Sequence, residues 1–234
     1  AFRECSYIKT VSLPSSITKI DSYAFYRCDL TTIELPENLE RIENWAFSEC
    51  NGLTDVTIPD SVTSIGDSAF NWCKGLTSVR IGKGLTSIGT AAFSLCDKLP
   101  GVYITDLSAW CNIAFEGGSA NPLCYAHNIY LDNIHITDLV IPDYVKSIGN
   151  YAFYYCSKLT SVTIPDSVTS IGDSAFAGCS GLTSVTVPDN VMRIGDSAFR
   201  NCSRLTSITV PFVGEKADGS GVTHFGYMFG RSYN

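Results

Sequence analysis

Residues 159–181 read LTSVTIPDSVTSIGDSAFAGCSG, residues 182–204 read LTSVTVPDNVMRIGDSAFRNCSR, and residues 205–211 begin the pattern again with LTSITVP. Two copies of a 23-residue unit therefore follow each other without a gap, and a third starts. A fixed period of this length is the signature of a solenoid, in which each unit buries its apolar face only against its neighbours. Within the first copy Leu159, Val162 and Ile164 are apolar, Pro165 and Asp166 interrupt, Val168 and Ile171 follow, and Gly172, Asp173, Ala175, Phe176 and Cys179 complete the unit. The segments LTSVTI and VTSIG carry β-branched residues and end in Pro or Gly, so both read as short strands. DSAFxxC opens on Asp and reads as one capped helical or 3₁₀ turn.

Nine units can be counted from their leading aliphatic residue, at Ile8, Leu30, Leu53, Leu76, Leu99, Ile136, Leu159, Leu182 and Leu205. Two other columns keep step. One is Phe2, Phe25, Phe47, Phe70, Phe93, Phe153, Phe176 and Phe199; the other is Cys5, Cys28, Cys50, Cys73, Cys96, Cys156, Cys179 and Cys202. Like residues should lie over like, one strand spacing or about 4.8 Å apart.

This unit, LxxVxIPxxVxxIGxxAFxxCxx, resembles the BspA-like leucine-rich repeats of bacterial surface proteins. It departs from them at Ile81-Gly82 and Ile104-Thr105, where the proline is missing. The resemblance implies a β-rich α/β solenoid: a single right-handed leucine-rich-repeat superhelix over residues 1–234, with a parallel sheet on its concave face and short helical turns. Repeats would occupy residues 1–105 and 136–211. Outward positions on that sheet would be Asp55 and Thr57, Ser78 and Arg80, Ser161 and Thr163, Ser184 and Thr186, and Ser207 and Thr209.

Two segments break the period. After Leu99 the interval is 37 residues, and residues 106–135 form an insert, DLSAWCNIAFEGGSANPLCYAHNIYLDNIH. Asp106 caps a helical pattern through Leu107, Trp110, Ile113 and Ala114, which Gly117 and Gly118 end. NIYLDNIHIT alternates about Asp132-Asn133 and reads as a small hairpin. Insertions in solenoids usually emerge on one face and are often functional. Trp110, Tyr125, His127 and Tyr130 are candidate binding side chains, against the plainer reading that they seal the core where the pattern lapses. Residues 212–234 are glycine-rich, and alternation of Phe225, Tyr227 and Phe229 reads as a loop and strand capping the stack.

Several chemistries find no footing. With 16 Lys and Arg against 23 Asp and Glu the net charge is -7, which opposes nucleic acid. No apolar run is long enough for a membrane span, and no secretory signal is visible at the abrupt start, as expected of a piece of a longer protein. Single cysteines 23 residues apart suit neither a zinc site nor a bridge between stacked neighbours; they read as small buried hydrophobes. Cys111 and Cys124 lie outside the column and could pair. Recurrent aspartates such as Asp60, Asp67, Asp166, Asp173 and Asp196 offer either a calcium ladder or turn chemistry, and turn chemistry is preferred because no short stretch concentrates acids. No nucleophile elbow is present, and nothing in the sequence fixes Asp106, Cys124 and His127 as a catalytic group. Neither a cofactor nor a metal is expected.

The expectation is a monomeric, secreted or cell-surface binding module, without catalysis, that uses its concave face and insert to hold host extracellular or microbial surface proteins or glycans. Two alternatives stay open: a structural spacer that presents another domain, and a hydrolase with a cleft near His127 and Cys124.

Overall fold

The computed structural model describes residues 2–230, which fall into two compact units divided between Ile134 and His135. Each is a parallel-sheet β-solenoid in which helix is minor. In the first unit the VxxIG segments Lys19–Ile20, Arg41–Ile42, Ser64–Ile65, Ser87–Ile88 and Ala114–Phe115 form one sheet. The LxxVxI segments Asp55–Ile58, Ser78–Ile81 and Val102–Ile104, joined by Ile129–Leu131 and Ile134–His135, form the other. The first two LxxVxI segments, at residues 8–13 and 30–35, run past each other without forming strands. The second unit repeats the plan with Asp138–Val140, Ser161–Thr163, Ser184–Thr186 and Ser207–Thr209 in one sheet and Ser147–Ile148, Ser170–Ile171 and Arg193–Ile194 in the other.

Strand alternation sets what is inside. Asp55–Ile58 turns Val56 and Ile58 into the core and Asp55 and Thr57 outward, as the period of two requires. The phenylalanine column is a continuous stack: Phe25 to Phe47, Phe47 to Phe70 and Phe70 to Phe93 lie 5.2, 5.1 and 5.1 Å apart with planes within 8°. Phe153, Phe176 and Phe199 do the same at 5.3 and 5.6 Å. Phe2, with a ring on one side only, remains 43% exposed.

The turn between the sheets differs from the helical turn expected of DSAFxxC. In each coil the residue before Ala-Phe and the residue two after Phe are left-handed: Ser68 and Trp72, Tyr23 and Arg27, Tyr151 and Tyr155. Two consecutive reversals result, closed by Ala69 N–H to the Gly66 carbonyl and Cys73 N–H to the Phe70 carbonyl. A helix would use its N–H groups internally. Here the N–H groups of Ser68, Phe70 and Trp72 instead donate to the carbonyls of Thr90, Ala92 and Ser94 in the next coil, at 2.9, 2.8 and 2.8 Å. The left-handed residues are what turn alternate N–H groups along the stack.

Side chains add ladders. Threonines that follow the leading Leu donate their hydroxyls to the backbone of the preceding coil, as Thr77 Oγ1 does to the Thr54 carbonyl at 2.9 Å and Thr206 to Thr183 at 3.0 Å. Asp67 and Asp173, each after Gly, serve a neighbouring coil rather than their own turn: Asp67 Oδ1 accepts the Thr90 N–H at 2.7 Å and Asp173 Oδ1 the Asp196 N–H at 3.0 Å. Asn44 and Asn150 hold the same place and accept in the same way. Close approach favours the glycine before Asp67, since a Cβ on Gly66 would lie 2.6 Å from the Asn44 backbone nitrogen.

Residues 106–135 are not an excursion from the solenoid. Val79 pairs with Val102, 23 residues on, whereas Val102 pairs with Ile129, 27 on. Ser87 pairs with Ala114 in the same enlarged step. The insert thus begins with a longer coil, whose four extra residues (27 against 23) sit between Ile104 and Ala114, where helix Leu107–Cys111 replaces the usual Pro or Gly turn, and it ends in the further strand Ile129–Leu131 and its hairpin. Asp106 caps that helix through Ala109 N–H, but the helix stops at Asn112. Ile113 and Ala114, expected in the helix, instead lead into a strand, because Phe115 must reach the core beside Ile88. Asp132-Asn133 form the expected hairpin turn, with φ of 48° and 67°, the two positive values a tight two-residue turn requires.

Residues 225–229, expected as a strand, are a 3₁₀ turn, Phe225–Phe229. A strand would have put Tyr227 and Met228 on opposite faces; the 3₁₀ turn buries both on the last coil. Their carbonyls accept the N–H groups of Ser197 and Phe199 at 2.9 and 2.8 Å. Lys216 bridges Arg193 in antiparallel sense, and Arg193 pairs with Asp173 and Glu215 at 2.9 and 3.5 Å. The end of the expected capping segment, residues 231–234, lies outside the described residues.

Candidate functional site

In the first unit the LxxVxI register aligns Thr57, Arg80, Tyr103 and Tyr130 as one outward row across four strands. Asp55 and Ser78 begin a second row beside it. The Arg80 guanidinium carbon lies 4.6 Å from the centroid of Tyr103, and the Tyr103 and Tyr130 rings stack at 4.7 Å and 20°. Arg80 Nη1 donates to Asn133 Oδ1 in the hairpin turn at 2.8 Å. Tyr130 lies across Gly101, where a Cβ would meet its Cδ2 at 2.8 Å. Glycine in place of the usual Thr or Ser is therefore what admits the ring.

Thr57, Arg80, Tyr103 and Asn133 line a shallow groove of about 290 Å³ with Asp60, Asp132 and Glu37 at its rim. Asp60 is partly committed, accepting the Lys83 backbone N–H at 3.0 Å and pairing with its ammonium at 3.6 Å. Among the described residues Arg80 has no carboxylate within ion-pairing distance. Its plane is held on one side by an aromatic face and at one nitrogen by an amide, which is a rigid setting for a cation.

The other candidates part company. Trp110 is 1% exposed and packs edge-on to Phe115 at 5.3 Å, so its ring fills the core of the enlarged coil and presents no surface. Tyr125 and His127 belong to the turn side: Tyr125 shares a hydrogen bond with Ser94 Oγ at 3.0 Å, and His127, left-handed at φ 59°, ends helix Leu123–Ala126. Of that set only Tyr130 stands in the outward row, stacked on Tyr103 beside the groove. In the second unit Val140, Thr163, Thr186 and Thr209 align, with Ser184 beside Ser207, as a uniform face of small side chains. There Ser161 Oγ donates to Asp138 at 2.7 Å, and that bond, with one from Thr160, holds the Asp138 carboxyl below its ordinary range.

Tyr103, Asn133 and the acidic rim escape a reading by period. The enlarged 27-residue step hides that Tyr130 falls beside Tyr103. The available signal was Tyr103 itself, which sits where Arg80 sits in the coil before.

No disulfide forms among the described residues, Cys111 and Cys124 included. The column thiols are hydrogen-bond donors as well as packing groups: Cys50, Cys73 and Cys96 reach the carbonyls of Phe25, Phe47 and Phe70 at 3.0, 3.2 and 3.2 Å. Burial pushes Cys50 and Cys96 up to about 12. Cys124 is also raised by burial, the opposite of what an attacking thiolate needs, and Asp106 is engaged as a helix cap. Among the described residues no cluster of three potential metal ligands occurs, and no helix is long and apolar enough to cross a membrane.

The stacked coils, two parallel sheets and a half-polar outer row define a leucine-rich-repeat scaffold. The family model for the BspA type leucine rich repeat region matches six copies over residues 1–120 and 126–218, and the chain belongs to that family. Among solved structures it is similar to a leucine-rich repeat protein from Bacteroides ovatus ATCC 8483, with 27% identity over 90% of this chain and 69% of that one and a TM-score of 0.42. A leucine-rich repeat protein from T. pallidum shares 28% identity over 75% and 78%, with a TM-score of 0.45. The pneumococcal vaccine antigen PcpA shares 22% over 87% and 62%, with a TM-score of 0.50. No curated protein matches the sequence at a significant level.

Proposed function

We propose that the chain is a non-catalytic recognition module that works outside the cell, at a surface, and binds a macromolecular ligand through the first unit. The observation that carries this is the Thr57–Arg80–Tyr103–Tyr130 row, where a repeat otherwise made of Ser and Thr installs a fixed cation and two stacked rings. Tyr and Arg are the side chains most often found at interface hot spots, and pre-ordering them lowers the cost of binding. A surface location rests on family membership, and host or microbial proteins and glycans are the partner classes it suggests.

The second unit favours a different role. The even Ser161, Thr163, Ser184 and Thr186 face is built of small hydroxyl side chains and suits a structural spacer. The test is saturable binding of the labelled chain to intact bacterial cells and to immobilised extracellular matrix. Arg80→Ala with Tyr130→Ala should weaken it about tenfold or more, while Thr163→Ala with Thr186→Ala leaves it unchanged. Binding indifferent to the first pair removes the groove as the site.

A further inference from the structure

Resting on that reading of the groove, we infer that its ligand is a neutral oligosaccharide lying across the strands. The lining is of mixed sign. Arg80 stands in the floor, and Glu37, Asp60 and Asp132 stand around it. An anion would face three carboxylates, and a cationic side chain would have to approach beside the guanidinium. A neutral polyol avoids both costs and uses both kinds of group, since each hydroxyl donates to a carboxylate and accepts from an N–H.

The donors and acceptors are present in suitable form. Arginine carries five N–H donors in a planar fork, and the bond to Asn133 uses one of them. Thr57 and Tyr103 add hydroxyls on either side of Arg80 in the same row. Successive members of the row are one strand spacing apart, about 4.8 Å, close to the length of one pyranose unit in an extended polysaccharide. A chain crossing the strands thus meets one polar group per sugar. The faces of Tyr103 are covered by Arg80 and Tyr130, so recognition is by hydrogen bonds at the edges rather than by stacking a sugar on an open ring. The groove is shallow, and single-chain affinity is accordingly weak, with retention expected on polymers.

Affinity electrophoresis in gels containing galactomannan, β-glucan or starch tests this, with heparin and poly-lysine as charged comparators. At least one neutral polysaccharide should retard the chain, and Arg80→Met and Glu37→Gln should each restore most of the free mobility while circular dichroism and the Tm stay as in the parent. Retardation by heparin or poly-lysine alone, or by no polymer, overturns the saccharide assignment. If Arg80→Met still abolishes binding to cells or matrix in that event, the groove remains the site and only its ligand is wrong. If Arg80→Met changes nothing in either assay, both readings fall.

Discussion

The Cys73 thiol donates to the carbonyl of Phe47, one coil earlier, at 3.2 Å, and the same carbonyl accepts the N–H of Cys50 at 3.1 Å. The cysteine column thus completes the hydrogen bonding of the phenylalanine column, and only the protonated thiol can do it. Burial, with its neighbours Cys96 and Cys50 adding to it, raises Cys73 well above an ordinary thiol.

Stability should therefore fail on the alkaline side. In the unfolded chain a cysteine ionises near pH 8.5, whereas Cys50, Cys96 and Cys202 in the fold do so at about 12. Below the lower value both states are protonated and nothing is lost. Above it the unfolded state releases protons that the folded state keeps, so unfolding gains about 1.4 kcal/mol per pH unit for each such thiol. Urea titrations should give similar midpoints at pH 7 and 8 and sharply lower ones at pH 10. An unchanged midpoint at pH 10 would contradict the buried thiol column.

Ala91 and Ala92 should respond in opposite ways to glycine. Ala91 is left-handed, at φ 55°, a conformation that costs an L-residue roughly 1 kcal/mol. Ala91→Gly should raise stability by about 0.5 kcal/mol or leave it level. Ala92 is wholly buried, and Ala92→Gly should cost about 1.5 kcal/mol from the lost methyl and added backbone freedom. Denaturant midpoints of the two variants check the pair.

Asp67 should tolerate asparagine and not alanine. Its Oδ1 accepts the Thr90 N–H at 2.7 Å, and Asn44 performs the same service one coil away. Asp67→Asn should lie within about 0.5 kcal/mol of the parent, and Asp67→Ala should lose about 1 kcal/mol. Adding calcium or EDTA should leave the Tm in place, since Asp60, Asp67 and Asp173 are occupied with backbone N–H groups. A calcium-dependent Tm would revive the ladder of carboxylate ligands.

Ser48 is wholly buried, and its hydroxyl has no hydrogen-bond partner. In another coil Ala177 holds the same position after Phe and is also buried. Ser48→Ala should stabilise the fold by about 1 kcal/mol, read as a rise in denaturant midpoint with unchanged slope.

What could be read from the sequence follows from what stacking repeats. Phe and Cys columns announce themselves because each residue packs on its own counterpart, so Phe47, Phe70 and Phe93 were placed by arithmetic. The turns were misread as helical because left-handed backbone is ordinarily flagged by Gly or Asn. Here only Gly178 and Asn201 give that sign, while Trp45, Glu49 and Trp72 adopt it under the demand of the neighbouring coil's carbonyls. For Trp110 the sequence leaves two readings open, because an aromatic in an irregular stretch looks the same whether it plugs a core or faces water; its burial selects the core. Tyr103 was passed over since its significance depends on a neighbour 27 residues away, a distance set by helix Leu107–Cys111 and not by the period.

The turn edge has a polarity that the sheets lack. Trp45, Phe47 and Glu49 all donate forward, to Asp67, Ala69 and Asn71, and Ser68, Phe70 and Trp72 do likewise in the coil that follows, so the peptide dipoles add instead of cancelling. In the second unit this alignment would leave a positive pole of bare amides at Ser197 and Phe199. The carbonyls of Tyr227 and Met228 are set against that pole, which makes the final aromatic turn an electrical terminator as much as a hydrophobic one.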